Sequence, residues 1–136
     1  MASRLDDISL NTLIGLGSVI QGNIKINGFV RIDGDIDGNI ETDGNVIIGE
    51  KARIRGNITA KSVTIGGVVL GNIKADEYVK LLSSSAIIGD IISHKVQIDD
   101  MAYYKGHCIS IKDDQTYSEL SQNYLQERAI KEKALH

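Results

Sequence analysis

Few residues of this 136-residue chain could do chemistry: His94, His107 and His136, the single cysteine Cys108, and the adjacent pairs Asp99-Asp100 and Asp113-Asp114. A histidine base needs a positioned partner and a pocket. The sequence shows neither. His94 lies in Ser93-His94-Lys95, which reads as an exposed corner, and His107 falls in an outward column. A cysteine acts as a nucleophile through its thiolate. Cys108 stands where a repeated pattern otherwise places isoleucine, which predicts a buried, inert thiol. No Cys and His have the spacing of a metal site. The aspartate pairs read as solvated turns, not catalytic dyads. No Gly-x-x-x-x-Gly-Lys-Ser/Thr loop is present to cradle a nucleotide. The chain therefore reads as a non-enzyme with no cofactor and no metal.

The composition points the same way. The length suits one domain, and a net charge of −3 gives no broad basic surface for nucleic acid. No apolar run reaches the length of a membrane-spanning helix. Met1–Asp7 lacks the apolar stretch of a signal peptide. A lone cysteine excludes an internal disulfide, so a reducing cytoplasm is expected. Fourteen glycines, no proline and scarce aromatics are more unusual. Ile and Val favour strands, and no helical period is sustained between about residues 12 and 113.

One phrase recurs along the chain: Gly22-Asn23-Ile24, Gly38-Asn39-Ile40, Gly56-Asn57-Ile58, Gly71-Asn72-Ile73, Gly89-Asp90-Ile91 and a degenerate Gly106-His107-Cys108. These glycines are 16, 18, 15, 18 and 17 residues apart. Two residues before them stand Ile20, Ile36, Ile54, Val69, Ile87 and Tyr104; four before them the residues are all small, from Ser18 to Ala102. An apolar-x-apolar phrase lies upstream, as in Val30-Arg31-Ile32 and Val46-Ile47-Ile48, with a weaker first copy in Thr12-Leu13-Ile14. From its last residue to the repeat glycine the count is 8, 6, 8, 6, 8 and 8. Short copies lose two residues, not one, which keeps every side chain on its face of a strand.

No single repeat can bury its own apolar face, so neighbours must stack. The sequence predicts an all-β, single-domain parallel β-helix of about six rungs. Turns of about 17 residues suit three short strands around a triangular core, with glycines at the corners. The recurrent asparagines read as outward or turn residues that satisfy backbone groups. The Gly-Gly-x-Gly-x-Asp phrase of calcium-binding β-rolls is absent.

Residues 1–11 precede the first rung and read as a flexible segment or loose cap; the β-helix domain is expected over 12–113. Residues 114–136 lose glycine and gain Gln, Glu, Lys and Ala, with Tyr117, Leu120, Tyr124 and Leu125 approximating a helical stripe. A helix of that length is marginal alone in water, so a flexible or partly helical tail is expected.

The order and spacing of Thr12-Leu13-Ile14-Gly15, Gln21-Gly22-Asn23-Ile24, Val30-Arg31-Ile32-Asp33-Gly34 and Tyr104-Lys105-Gly106-His107-Cys108 resemble the bactofilins, bacterial polymer-forming cytoskeletal proteins, over about residues 12–111. The resemblance implies a right-handed β-helix and nucleotide-independent filaments or sheets of subunits joined end to end, head to head and tail to tail. It implies a scaffold in cell shape, polarity or wall remodelling. Its partners would be its own copies and, in the family, wall-cutting peptidases or other morphogenesis proteins. It implies a cytoplasmic, cytoskeletal location. Some members bind the inner face of the membrane through an N-terminal Met-Phe and lysine motif, which Met1-Ala2-Ser3-Arg4 does not match. In the family an aromatic near the last rung holds terminal rungs together. Tyr104 is accordingly expected to anchor assembly, with Tyr103, Met101, Ile98 and Cys108 around it; the alternative is that it caps its own core. Leu13, Ile14, Val19 and Ile20 are expected at the other end. The rival reading is a left-handed hexapeptide-repeat acyltransferase, whose strict period of six these turns break. An adhesin built on a β-helix is the third class.

Overall fold

A computed structural model of the protein describes residues 11–110. The expectations for the segment before residue 11, for the tail at 114–136, and for Asp113-Asp114 and His136 fall outside those residues. The described chain is strand, turn and bend throughout, and none of it is a helix long and apolar enough to cross a membrane.

The first rung holds β1 (Thr12–Ile14), β2 (Val19–Gln21) and β3 (Ile24–Ile26); the second holds β4 (Val30–Ile32), β5 (Asp35–Asp37) and β6 (Ile40–Thr42). The third opens with β7 (Asn45–Ile48) and β8 (Arg53–Arg55), and β9 (Ile58–Ile65) rounds the corner into the fourth. Then follow β10 (Val68–Leu70), β11 (Ile73–Leu81), β12 (Ala86–Ile88), β13 (Ile91–Ile98), β14 (Tyr103–Lys105) and β15 (Cys108–Ser110), with β11 and β13 also rounding corners. Every pairing between them is parallel and joins one rung to the next. The result is a β-solenoid with three strand columns. The first face begins β1-β4-β7. The second is a six-stranded sheet, β2-β5-β8-β10-β12-β14. The third begins β3-β6-β9 and ends on β15.

The predicted columns are the observed registers. Ile20, Ile36, Ile54, Val69, Ile87 and Tyr104 pair in succession on the second face. Ile24, Ile40, Ile58, Ile73, Ile91 and Cys108 do so on the third. In the middle rungs these side chains are sealed from solvent and form one continuous core. Each such Ile contributes about 1.5–3 kcal/mol relative to exposure.

The two residues that separate long copies from short ones are the central pair of a turn. Ser18 N–H donates to Gly15 O at 3.1 Å, Ala52 to Gly49 at 3.0 Å, Ser85 to Leu82 at 2.9 Å and Ala102 to Asp99 at 3.2 Å. Short copies go straight through Asp33-Gly34 and Gly66-Gly67. Deleting a whole turn leaves the strands before and after it in phase.

Candidate functional site

The repeat asparagines form a ladder along one edge. The Oδ1 of Asn23 accepts the N–H of Asn39 at 3.0 Å, Asn39 accepts that of Asn57 at 2.9 Å, and Asn57 that of Asn72 at 2.9 Å. Asn72 accepts from Asp90 at 2.9 Å, and Asp90 from His107 at 3.0 Å. Each side chain thus satisfies a backbone donor one rung on, as the sequence suggested. Among the described residues no His, Cys, Asp and Glu gather as a metal site. The His107 ring lies 3.5 Å from Asp90 Oδ1 with its side chain almost fully exposed. His94 is half-buried, not an open corner, because its Nδ1 meets the carbonyl of Asp76 from the rung below. Asp99 and Asp100 sit in the last turn, as expected of solvated turn residues.

The core columns change at both tips. At the first rung Ile14 is still buried, but Ile20, Ile24 and Ile26 are half-buried. At the last rung Val96 and Tyr104 are half-buried and Ile98 is 46% exposed. Backbone donors follow the same pattern. Gly89 N–H donates to Lys105 O at 2.9 Å and Ile91 N–H to His107 O at 2.9 Å; the corresponding Gly106 and Cys108 have no described rung above them. A strand edge of this kind is a template for another strand.

The nine residues expected at the tips divide by register. Ile14, Ile20, Ile98, Tyr104 and Cys108 lie in the inward columns of the terminal rungs. Leu13 and Val19 point outward from the first and second faces, pairing with Arg31 and Asp35, and both are well exposed. Tyr103 likewise projects from the second face, beside Ala86. Met101 lies in the last turn, 89% exposed, at φ 73°. Tyr104 Oη donates to the carbonyl of His107 at 2.6 Å, so its ring is tied across its own rung. Ile24, Ile26 and Val96 were not expected at the tips; Ile24 shares the column of Cys108 and Val96 that of Val30, whereas Ile26 stacks on Thr42 in a column that carries no repeat signal.

Cys108 is a correction. It is exposed, not buried, and no described rung follows it in its column. It pairs in register with Ile91, and partial burial pushes its pKa up, which disfavours the thiolate.

The comparisons with known proteins agree with the solenoid fold. The family model for bactofilins, described as polymer-forming cytoskeletal, matches residues 12–109. The chain belongs to the bactofilin family. Among curated bactofilins, BacO of Myxococcus xanthus (strain DK1622) is 31% identical over 104 residues, covering 76% of this chain and 82% of BacO. BacP of the same organism is 29% identical over 96 residues, which is 71% of this chain but only 40% of BacP. The solid-state NMR structure of the cytoskeletal bactofilin BacA is similar at a TM-score of 0.65 and 25% identity, over 74% of this chain and 96% of that one. This bactofilin therefore shares the family's solenoid from its first rung to its last, and the family is a structural one, which leaves the acyltransferase alternative without support.

Proposed function

We propose that this chain is a cytoskeletal scaffold whose subunits join tip to tip into filaments without nucleotide, and that the filaments support cell shape, polarity or wall remodelling. The observation that carries this reading is the opening of the same inward columns at both tips. Ile54 and Ile87 are completely buried at mid-length, while Ile20 and Tyr104 in that column are not. A second copy would extend each column and bond the edge strands. Met101 adds weight: a bulky residue held at positive φ is strained, and strain of this kind clusters at contact and switch sites. Wall-cutting peptidases as partners, and a site at the inner face of the membrane, belong to this proposal as family features.

Tyr104→Arg tests it. A guanidinium at that position is tolerated by a free tip and costs several kcal/mol when another subunit buries it unpaired. The variant keeps the circular dichroism of a β-solenoid and loses long polymers in negative-stain microscopy without nucleotide. Filaments of unchanged length would remove Tyr104 from the contact.

A further inference from the structure

The second face is banded. Its outward registers read, rung by rung, Val19 and Gln21, Asp35 and Asp37, Arg53 and Arg55, Val68 and Leu70, Ala86 and Ile88, then Tyr103 and Lys105. A purely acidic rung thus lies directly on a purely basic one, with Val19 and Gln21 on one side and Val68 and Leu70 on the other.

We propose that this face is a lateral docking surface for a second, antiparallel copy of this chain, related by a two-fold axis between the second and third rungs. That operation sets the second rung of each copy on the third rung of the other, and the first on the fourth. Asp35 meets Arg53, Asp37 meets Arg55, and Val19 meets Val68, each contact occurring twice, as an isologous interface requires. The parallel alternative would set acid on acid and base on base.

Two observations on the face fit an occupant. A shallow groove of about 380 Å³ runs over the first four rungs, lined by Val19, Asp37, Arg55 and Leu70 among others, so it is centred on the proposed axis. Within one subunit the charges are only loosely engaged. Arg53 Nε lies 3.8 Å from Asp35 Oδ1, with the Arg53 side chain 74% exposed. The guanidinium fork therefore remains open to a carboxylate approaching from outside.

Area sets how the contact works. The four facing rungs of three-residue strands cover about 19 Å by about 10 Å, roughly 190 Å². A stable isolated pair needs about 800 Å² per partner. Single subunits will not dimerise through this face, but a filament presents it many times over and gains by multivalency. The inference thus rests on the tip-to-tip reading.

Two single-sign variants test it, Asp35→Arg with Asp37→Arg, and Arg53→Asp with Arg55→Asp. Filament length reads the tips and filament width reads this face. Wild-type filaments bundle at low salt and separate at high salt. Each single-sign variant, checked for folding by circular dichroism, forms long filaments of single width. An equimolar mixture of the two restores bundles, because an all-basic face then meets an all-acidic one. Single-sign variants that bundle like wild type, a mixture that does not bundle, or wild-type filaments that never bundle would each overturn the lateral contact alone. Wild-type protein that forms no filaments would overturn the tip-to-tip reading and this inference with it.

Discussion

The side-chain Oδ1 of Asn57 accepts the backbone N–H of Asn72, one rung along the axis, at 2.9 Å, in a partly buried bond. The same contact repeats from Asn23 to His107, so the ladder is a structural device with a measurable contribution. Removing a partner from a partly buried donor costs about 1–2 kcal/mol. Asn57→Ala should lower the urea midpoint accordingly. Asn57→Asp should stay within about 0.5 kcal/mol of wild type, because Asp90 fills the same role in the next-but-one rung. Equal losses from both substitutions would show that the amide nitrogen, not the oxygen, matters.

The repeat glycine just before that asparagine is a stricter requirement. Gly56 has φ 155°, and a Cβ there would fall on the carbonyl oxygen of Gly38 in the rung below, well inside van der Waals contact. The obstacle is backbone, which cannot swing aside. Gly56→Ala should destabilise by about 3 kcal/mol or more, against about zero for Gly15→Ala, where a Cβ meets nothing. Thermal unfolding of the two variants side by side checks the contrast.

Much of this architecture was legible because stacking imposes columns. Ile54 and Ile36 sit 18 residues apart in sequence yet must occupy equivalent places, and the recurrence exposes them without any knowledge of the corners. The corners were less legible. From the repeat glycine to the next upstream valine the count is 8, 8, 7, 8 and 7, an odd variation that a strand could not absorb. The structure absorbs it at the third corner, where the register shifts between Ala75 and Tyr78 and Ser62 and Val63 are both buried. The tips were partly legible. Tyr104 and Ile98 follow from the columns. Leu13, Val19 and Tyr103 were assigned by proximity in sequence, whereas alternation turns them onto side faces. Asp35 and Arg53 belong to no repeat column, so only the strand pairing places one on the other.

Met101 occupies the place in the last turn that Gly17 occupies in the first, at φ 73° against 88°. A side chain in that conformation costs about 1–2 kcal/mol, part of which glycine returns through its freer unfolded chain. Met101→Gly should therefore add about 0.5–1 kcal/mol to the unfolding free energy, read as a higher urea midpoint. If the methionine also packs against a neighbouring subunit, the same variant will need a higher protein concentration to polymerise. Sedimentation of polymer across a dilution series measures the second effect independently of the first.

Cys108 reports on the tip directly. Its raised pKa means less thiolate at any given pH than an ordinary cysteine carries. Alkylation of dispersed subunits should therefore be slower than that of a model thiol at neutral pH. It should climb about tenfold per pH unit until the raised pKa is reached. Assembly should suppress the reaction at every pH, since the thiol is exposed and no described rung follows it in its column. Labelling wild-type polymer and the dispersed Tyr104→Arg variant with iodoacetamide at pH 8, then comparing adduct by mass spectrometry, should show at least about tenfold protection in the polymer. Equal labelling would place the subunit contact away from the sixth rung, and the proposed tip-to-tip joint would have to use the first rung alone.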